Sequence, residues 1–234
     1  MLNIKSTKNV ASERFVSLIV GPSGIGKTSL VKTLPEPQEA TLIISAESGL
    51  LCLQGTDFPV IEINPENPSD SLGEVFSYLT TDEAKNKYKY LFIDSLTEIG
   101  ELILSELKND EKYHDPKMTL KMYSVYNDTM TKIIKAFRDL RPYSVVFTCL
   151  NEFEKNGLEM VETFNIPGQS VKSDIKAWFD LVFSYKIFSS EDGEKHRMLV
   201  TDIAESPLSK DRSGKLDPYE KADLSVIINK VLGV

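Results

Sequence analysis

The chain has 234 residues, with 27 Lys and Arg against 35 Asp and Glu, a formal charge of −8 at pH 7, 41% hydrophobic residues and 26% charged ones. This length suits one larger α/β domain with a substantial core, and the composition excludes wholesale disorder, collagen and coiled coil. The acidic balance argues against a whole-surface grip on nucleic acid, which draws its affinity from clustered Lys and Arg, and leaves room for a local basic groove.

In chain order, residues 14–20 (RFVSLIV) are an apolar, β-branched run stopping at Gly21-Pro22, the pattern of a buried strand entering a tight loop. A helix is expected from about Lys27, and further buried strands at 41–47, 59–63 and 88–94. Between them, Leu72, Val75, Phe76 and Leu79 predict a helix over 69–84, with Ser69 and Ser71 available as caps. Met122, Val125, Tyr126, Met130, Ile133, Ile134 and Phe137 form one apolar stripe of a helix over 120–140, which Pro142 stops. A strand at 143–150 follows, then the polar stretch NEFEKNG and a hairpin arm LEMVETFN. After Pro167-Gly168 come a helix around 174–179, two strands (DLVFSYKIF and HRMLVTDI) joined by a Gly-containing polar turn, and a capping helix over 218–232.

Strands alternating with helices up to residue 150 imply crossover connections and a mainly parallel sheet, and the late strand pair implies an antiparallel edge. The expected organisation is one α/β domain over 1–234, with an N-terminal extension (1–13), a mobile loop (205–217) and a C-terminal helix (218–234). Cys52 and Cys149 lie far apart in apolar contexts and form neither a disulfide framework nor a metal set, which fits a reducing compartment. No apolar run approaches a membrane span and the start lacks a secretory signal pattern, so a soluble intracellular protein with no membrane partner is expected.

The strongest motif is Gly21-Pro22-Ser23-Gly24-Ile25-Gly26-Lys27-Thr28, which satisfies G-x-x-x-x-G-K-[ST] between a strand and a helix, with Ser29 next in line. Its glycines let successive backbone N–H groups turn toward phosphates, Lys27 is suited to the β and γ phosphates, and the Thr28 hydroxyl to Mg²⁺. Tyr90-Leu91-Phe92-Ile93-Asp94 is the matching apolar strand ending in a carboxylate. With that strand beside the first, Asp94 reaches the metal shell; the alternative is a cap on the helix beginning at Ser95. The residue after Asp94 is Ser95, not a second carboxylate, so the water-polarising group must come from elsewhere. Glu47, at the end of the second strand, is the candidate, and a rim carboxylate bonded to loop N–H groups is the alternative.

The order of a P-loop, a strand ending in Ala46-Glu47, and Ile93-Asp94-Ser95 resembles the RecA/RadA branch of P-loop ATPases. More narrowly, GPSGIGKTSL, SAESGL, LFIDSLTEI, VVFTCLNE, IPGQSVKSDIKAWFDLVFSYKI and SKDRSGKLD resemble short phage-encoded RecA-like ATPases of the Sak type. The resemblance implies a RecA-like fold, ATP and Mg²⁺ as cofactors, a ring or filament of identical subunits, single-stranded DNA as partner, a possible single-strand-binding or replication protein partner, and recombination or annealing in the host cytoplasm. It implies a γ-phosphate sensor at the end of strand 143–150, where this chain has Leu150-Asn151; Asn151 is either that group or a turn residue. It also matches Lys210 and Arg212 to a Lys-x-Arg element reaching a neighbouring subunit's nucleotide; a solvated loop is the alternative.

DNA in such proteins meets loops corresponding here to 109–121 and 151–170. Lys112, Tyr113, Lys117 and Lys121 supply cations and an aromatic, while Glu152, Glu154, Glu159 and Glu162 make the second segment acidic and favour a plain polar hairpin. His114 and His196 read as surface histidines. Competing functions are an ATPase switch or loader acting on a protein partner without DNA, and a small-molecule kinase, which the lack of an Arg-rich lid disfavours.

Overall fold

Apolar, β-branched runs buried on both faces build a central sheet, as parallel α/β sheets require. The computed structural model describes residues 14–47, 49–190 and 192–233; the expected N-terminal extension lies outside them. In chain order, β1 (Val16–Val20) leads through a 3₁₀ helix (Thr28–Thr33) to α1 (Pro37–Ala40), β2 (Thr41–Ser45), β3 (Val60–Glu62), α2 (Pro68–Leu79), α3 (Asp82–Lys87), β4 (Tyr90–Asp94) and α4 (Leu96–Asn109). Then come α5 (Thr119–Asp139), β5 (Ser144–Asn156), β6 (Glu159–Asn165), α6 (Gln169–Trp178), β7 (Leu181–Ser189), β8 (Lys195–Val200), β9 (Lys210–Asp211), β10 (Tyr219–Lys221) and α7 (Leu224–Leu232).

The strand order is β10-β8-β7-β1-β5-β4-β2-β3, with β6 on β5 and β9 on β7. From β7 to β3 every neighbour along this path is parallel, while β8, β9, β10 and β6 join antiparallel. This is the mainly parallel α/β sheet flanked by helices, with an antiparallel edge, that the sequence leads one to expect. One apolar cluster lies under α2, α4, α5 and α6, including Leu72, Ile99, Tyr126, Ile134 and Val171. The other lies under the 3₁₀ helix and α7, including Leu30, Val31, Ile227 and Ile228.

Several expectations are corrected. The strand ending at Asp94 does not lie beside β1, because β5 pairs with both β1 and β4 and separates them. The helix after the P-loop is a single 3₁₀ segment ended by Leu34, whose extended conformation (φ −65°, ψ 146°) is the one a following proline imposes. The 69–84 helix divides at Thr80-Thr81, where the Thr81 hydroxyl accepts from Ala84 N and starts α3. The C-terminal helix begins only at Leu224, since Tyr219–Lys221 pairs with β8 instead. Residues 205–217, where a mobile loop is expected, contain β9 and bury Ser206, Leu208 and Ser209.

Candidate active site

The C-terminal ends of β1, β2, β4 and β5 converge on the P-loop. The loop leaves β1 as Gly21 N donates to Cys149 O at 3.2 Å on β5. A Cβ at Gly21 would lie 2.9 Å from the Tyr185 carbonyl oxygen of β7, so only glycine allows this approach. Gly24 (φ 75°) and Gly26 (φ 108°) carry the loop through left-handed backbone, while Ile25 buries its side chain and anchors it. The buried Lys27 folds back along the loop, its Nζ donating to Gly21 O (2.9 Å) and Pro22 O (3.0 Å). Burial pushes its pKa down, and the nearby Asp94 and Glu47 carboxylates pull it back up.

Asp94 is held from two sides: the Thr28 hydroxyl donates to Oδ2 at 2.5 Å, and the Thr148 hydroxyl of β5 donates to Oδ1. Burial raises the carboxyl's pKa, the two hydroxyls lower it, and Glu47 raises it further. The insertion of β5 thus supplies Thr148, a residue the sequence reading missed. Its signal is a hydroxyl toward the C-terminal end of the run YSVVFTCL, after the apolar Val145-Val146-Phe147.

Glu47 lies just beyond β2. Its Oε1 accepts from Ser95 Oγ at 2.5 Å, and its backbone carbonyl accepts from Ser45 Oγ at 2.5 Å. Ser95 also caps α4 by accepting from Glu98 N at 3.3 Å, so one hydroxyl couples the glutamate to that helix. The Glu98 carboxyl is shifted upward by burial and by the charges of Glu47 and Glu101. Ser95→Ala is expected to cost about 1 kcal/mol of stability through the lost cap, a melting shift of about 2–4 °C. If the site hydrolyses a nucleotide, Ser95→Ala is also expected to lower turnover with nucleotide affinity intact, and Ser95→Thr to restore both. Unchanged turnover in Ser95→Ala would remove Ser95 from the positioning of Glu47.

The donor set fits a nucleotide with a hard cation. Space at Gly24 is open, a Cβ there meeting nothing within 4 Å, so nothing in the chain obstructs approach to the loop backbone at that point. Thr28 and Asp94 offer neighbouring oxygens, and among the described residues no group of three His, Cys, Asp or Glu could hold a metal by itself. A hydroxyl and one carboxylate suit Mg²⁺, which keeps waters and shares phosphate oxygens instead of taking an all-protein cage.

Other assigned residues fall elsewhere. Asn151 lies within β5, not in a turn, and its Nδ2 donates to Glu162 Oε1 at 2.7 Å. Strand alternation puts it on the face opposite Thr148 and Asp94. Lys210 donates to the Lys176 carbonyl at 2.9 Å, and Arg212 pairs with Asp180 at 2.9 Å. Both lie where β9 meets the N-terminal end of β7, far along the sheet from the chain's own P-loop. Tyr113 is buried in the core and is no stacking surface, while Lys112 pairs with Asp110. Residues 150–165 form an antiparallel hairpin with the two-residue turn Gly157-Leu158, Gly157 supplying φ 64°. Part of its acidity is offset inside the chain: Lys172 pairs with Glu152 and Glu154, and Lys186 with Glu162. His196 faces Glu194 at 3.7 Å. Cys52 and Cys149 are both free thiols, and burial pushes the Cys149 thiol up to about 11. No helix among the described residues is long and apolar enough to cross a membrane.

Comparison with known proteins gives the sequence profile described as an AAA domain, matched over residues 14–213. No curated protein matches the chain. Among solved structures, an ATPase from the type III secretion system of pathogenic bacteria aligns at 12% identity and a TM-score of 0.45 over 93% of this chain. The chain spans 58% of the length of that structure.

Proposed function

The chain belongs to the AAA domain family, and from that premise we propose that it is an Mg²⁺-dependent ATPase of the short phage-encoded RecA-like kind. It acts in the cytoplasm, as a ring or filament on single-stranded DNA, in recombination or strand annealing. The observation that carries the ATPase reading is the meeting of Lys27, Thr28, Asp94 and the Ser95-held Glu47 at one rim.

In this reading the P-loop N–H groups and Lys27 bind the phosphates, with Lys27 exchanging its loop carbonyls for phosphate oxygens. Thr28 and Asp94 hold the metal, and Thr148 fixes the Asp94 carboxylate. What bound Mg²⁺ supplies is neutralisation of charge on the phosphate oxygens. Glu47, oriented by Ser95, accepts a proton from the attacking water. Lys210 and Arg212 reach a neighbouring subunit's nucleotide, since they sit away from their own, and subunit contact therefore completes the site.

A second reading, an ATPase switch or loader on a protein partner, is favoured by one observation: the β5–β6 hairpin exposes Phe153, Leu158 and Met160. Particle mass and ATP turnover, measured with and without a short single-stranded oligonucleotide, separate the two. Recombination or annealing calls for a larger particle with ATP and for DNA-stimulated turnover. A monomer at every condition with DNA-independent turnover would discard it in favour of the switch.

A further inference from the structure

Cations concentrate at the sheet end opposite the P-loop. A cleft of about 750 Å³ between α2 and α5 is lined by Lys132, Lys135 and Arg141 over an apolar floor of Phe76, Ala136 and Leu140. A second, of about 220 Å³, is lined by Arg14, Arg138, Arg212 and Trp178, with Asp180. The clefts share Asp139, and Lys135 of the first lies over the Trp178 ring of the second, 5.0 Å from its centroid. Together they set six cations against two carboxylates, in a chain whose overall charge is −8. Four of the chain's five arginines are here.

Arg14 and Arg138 also build the framework. Arg14 Nη1 donates to the carbonyls of Arg138 (2.7 Å) and Leu140 (2.9 Å), closing the end of α5, and Arg138 bonds Asp139 and the Trp178 carbonyl. Around that framework Lys132 and Arg141 are exposed, with Lys135 half-buried on the indole. Guanidinium groups match phosphate with paired donors, and a half-buried indole beside an apolar floor suits unstacked bases.

We propose that the two clefts, with Arg212 at their edge left to the neighbouring subunit's nucleotide, form one groove that binds the backbone of a single-stranded nucleic acid, an inference that rests on the DNA-acting reading above. Residues 109–121 and 151–170 are poorer candidates: Tyr113 is buried, and the hairpin carries four carboxylates that two lysines only partly offset. The guanidinium-rich, ring-bearing lining favours a nucleic acid strand over an acidic protein segment, which has no bases to stack.

The test is fluorescence anisotropy of a labelled oligothymidylate of about 30 nucleotides. It compares the wild-type chain, the triple variant Lys132→Gln/Lys135→Gln/Arg141→Gln, and the control Lys117→Gln/Lys121→Gln. The triple variant is expected to bind about tenfold or more weakly at moderate salt, with a salt slope shallower by about 2, roughly 0.7 for each cation removed. The control is expected to bind as wild type, and DNA-free ATP turnover of the triple variant to be unchanged, since Lys132, Lys135 and Arg141 are not among the groups assigned to the nucleotide, either in their own subunit or from a neighbour. Weakening in the control alone overturns the groove while leaving a DNA-acting ATPase standing. Binding of polyglutamate but not oligothymidylate by the wild-type chain overturns it in favour of an acidic protein partner, and binding of neither overturns it outright.

Discussion

Glu47→Gln is expected to bind Mg-ATP as tightly as the wild-type chain and to turn it over about 10²–10⁴-fold more slowly, the range for loss of a positioned general base. Gln keeps an oxygen for the Ser95 hydroxyl, which donates at 2.5 Å in the wild-type chain, so the local geometry survives the change. What disappears is a carboxylate able to accept a proton. Separate measurement of nucleotide affinity and single-turnover phosphate release distinguishes these effects. A fall in affinity matching the fall in turnover would make Glu47 a structural or binding residue and would leave the water without a base.

Asp94→Asn is expected to abolish the gain in ATP affinity that Mg²⁺ brings, while leaving the nucleotide-free protein at least as stable as wild type. The carboxylate is buried between Thr28 and Thr148, and burial raises its pKa, so its ionised form destabilises the nucleotide-free fold. An amide satisfies both hydroxyls, which can each donate or accept, without a buried charge. The stabilisation expected is about 1 kcal/mol, or roughly 2–4 °C in melting temperature. The sign with pH follows from linkage. Because the native pKa lies above the unfolded value, the unfolded state binds fewer protons across that window. The wild-type chain therefore loses stability as pH rises from about 4 through the raised native value, and the variant lacks that loss. Melting curves of both proteins across that range check it; a destabilised variant with intact Mg²⁺ dependence would contradict the assignment.

Local signals made the strands, the P-loop and the pairing of Thr28 with Asp94 legible in sequence. A buried parallel strand is written as a continuous apolar run, and a phosphate loop as glycines at fixed spacing. The order of strands is not local. Nothing in YSVVFTCL says that it inserts between β1 and β4, and that insertion is what brings Thr148 to Asp94 and turns Asn151 away. Pro35 marks where the helix after the P-loop must stop, but nothing in the local sequence makes the segment 3₁₀. Burial of Tyr113 was hidden because a polar, charged segment gave no apolar pattern to place it in the core. Likewise the arginine groove joins Arg14, the end of α5 and the loop before β7, residues dispersed in sequence and gathered only by the parallel sheet.

Binding of Mg-ATP at this rim is expected to run through Lys27 and the Thr28–Asp94 pair. Calorimetric titration of ATP into the wild-type chain and into Lys27→Ala, each with Mg²⁺ and with chelator, tests it most directly. Binding by the wild-type chain that strengthens with Mg²⁺, and none by Lys27→Ala, is the result this account requires. Equal affinity in both proteins, or binding indifferent to Mg²⁺, would contradict it.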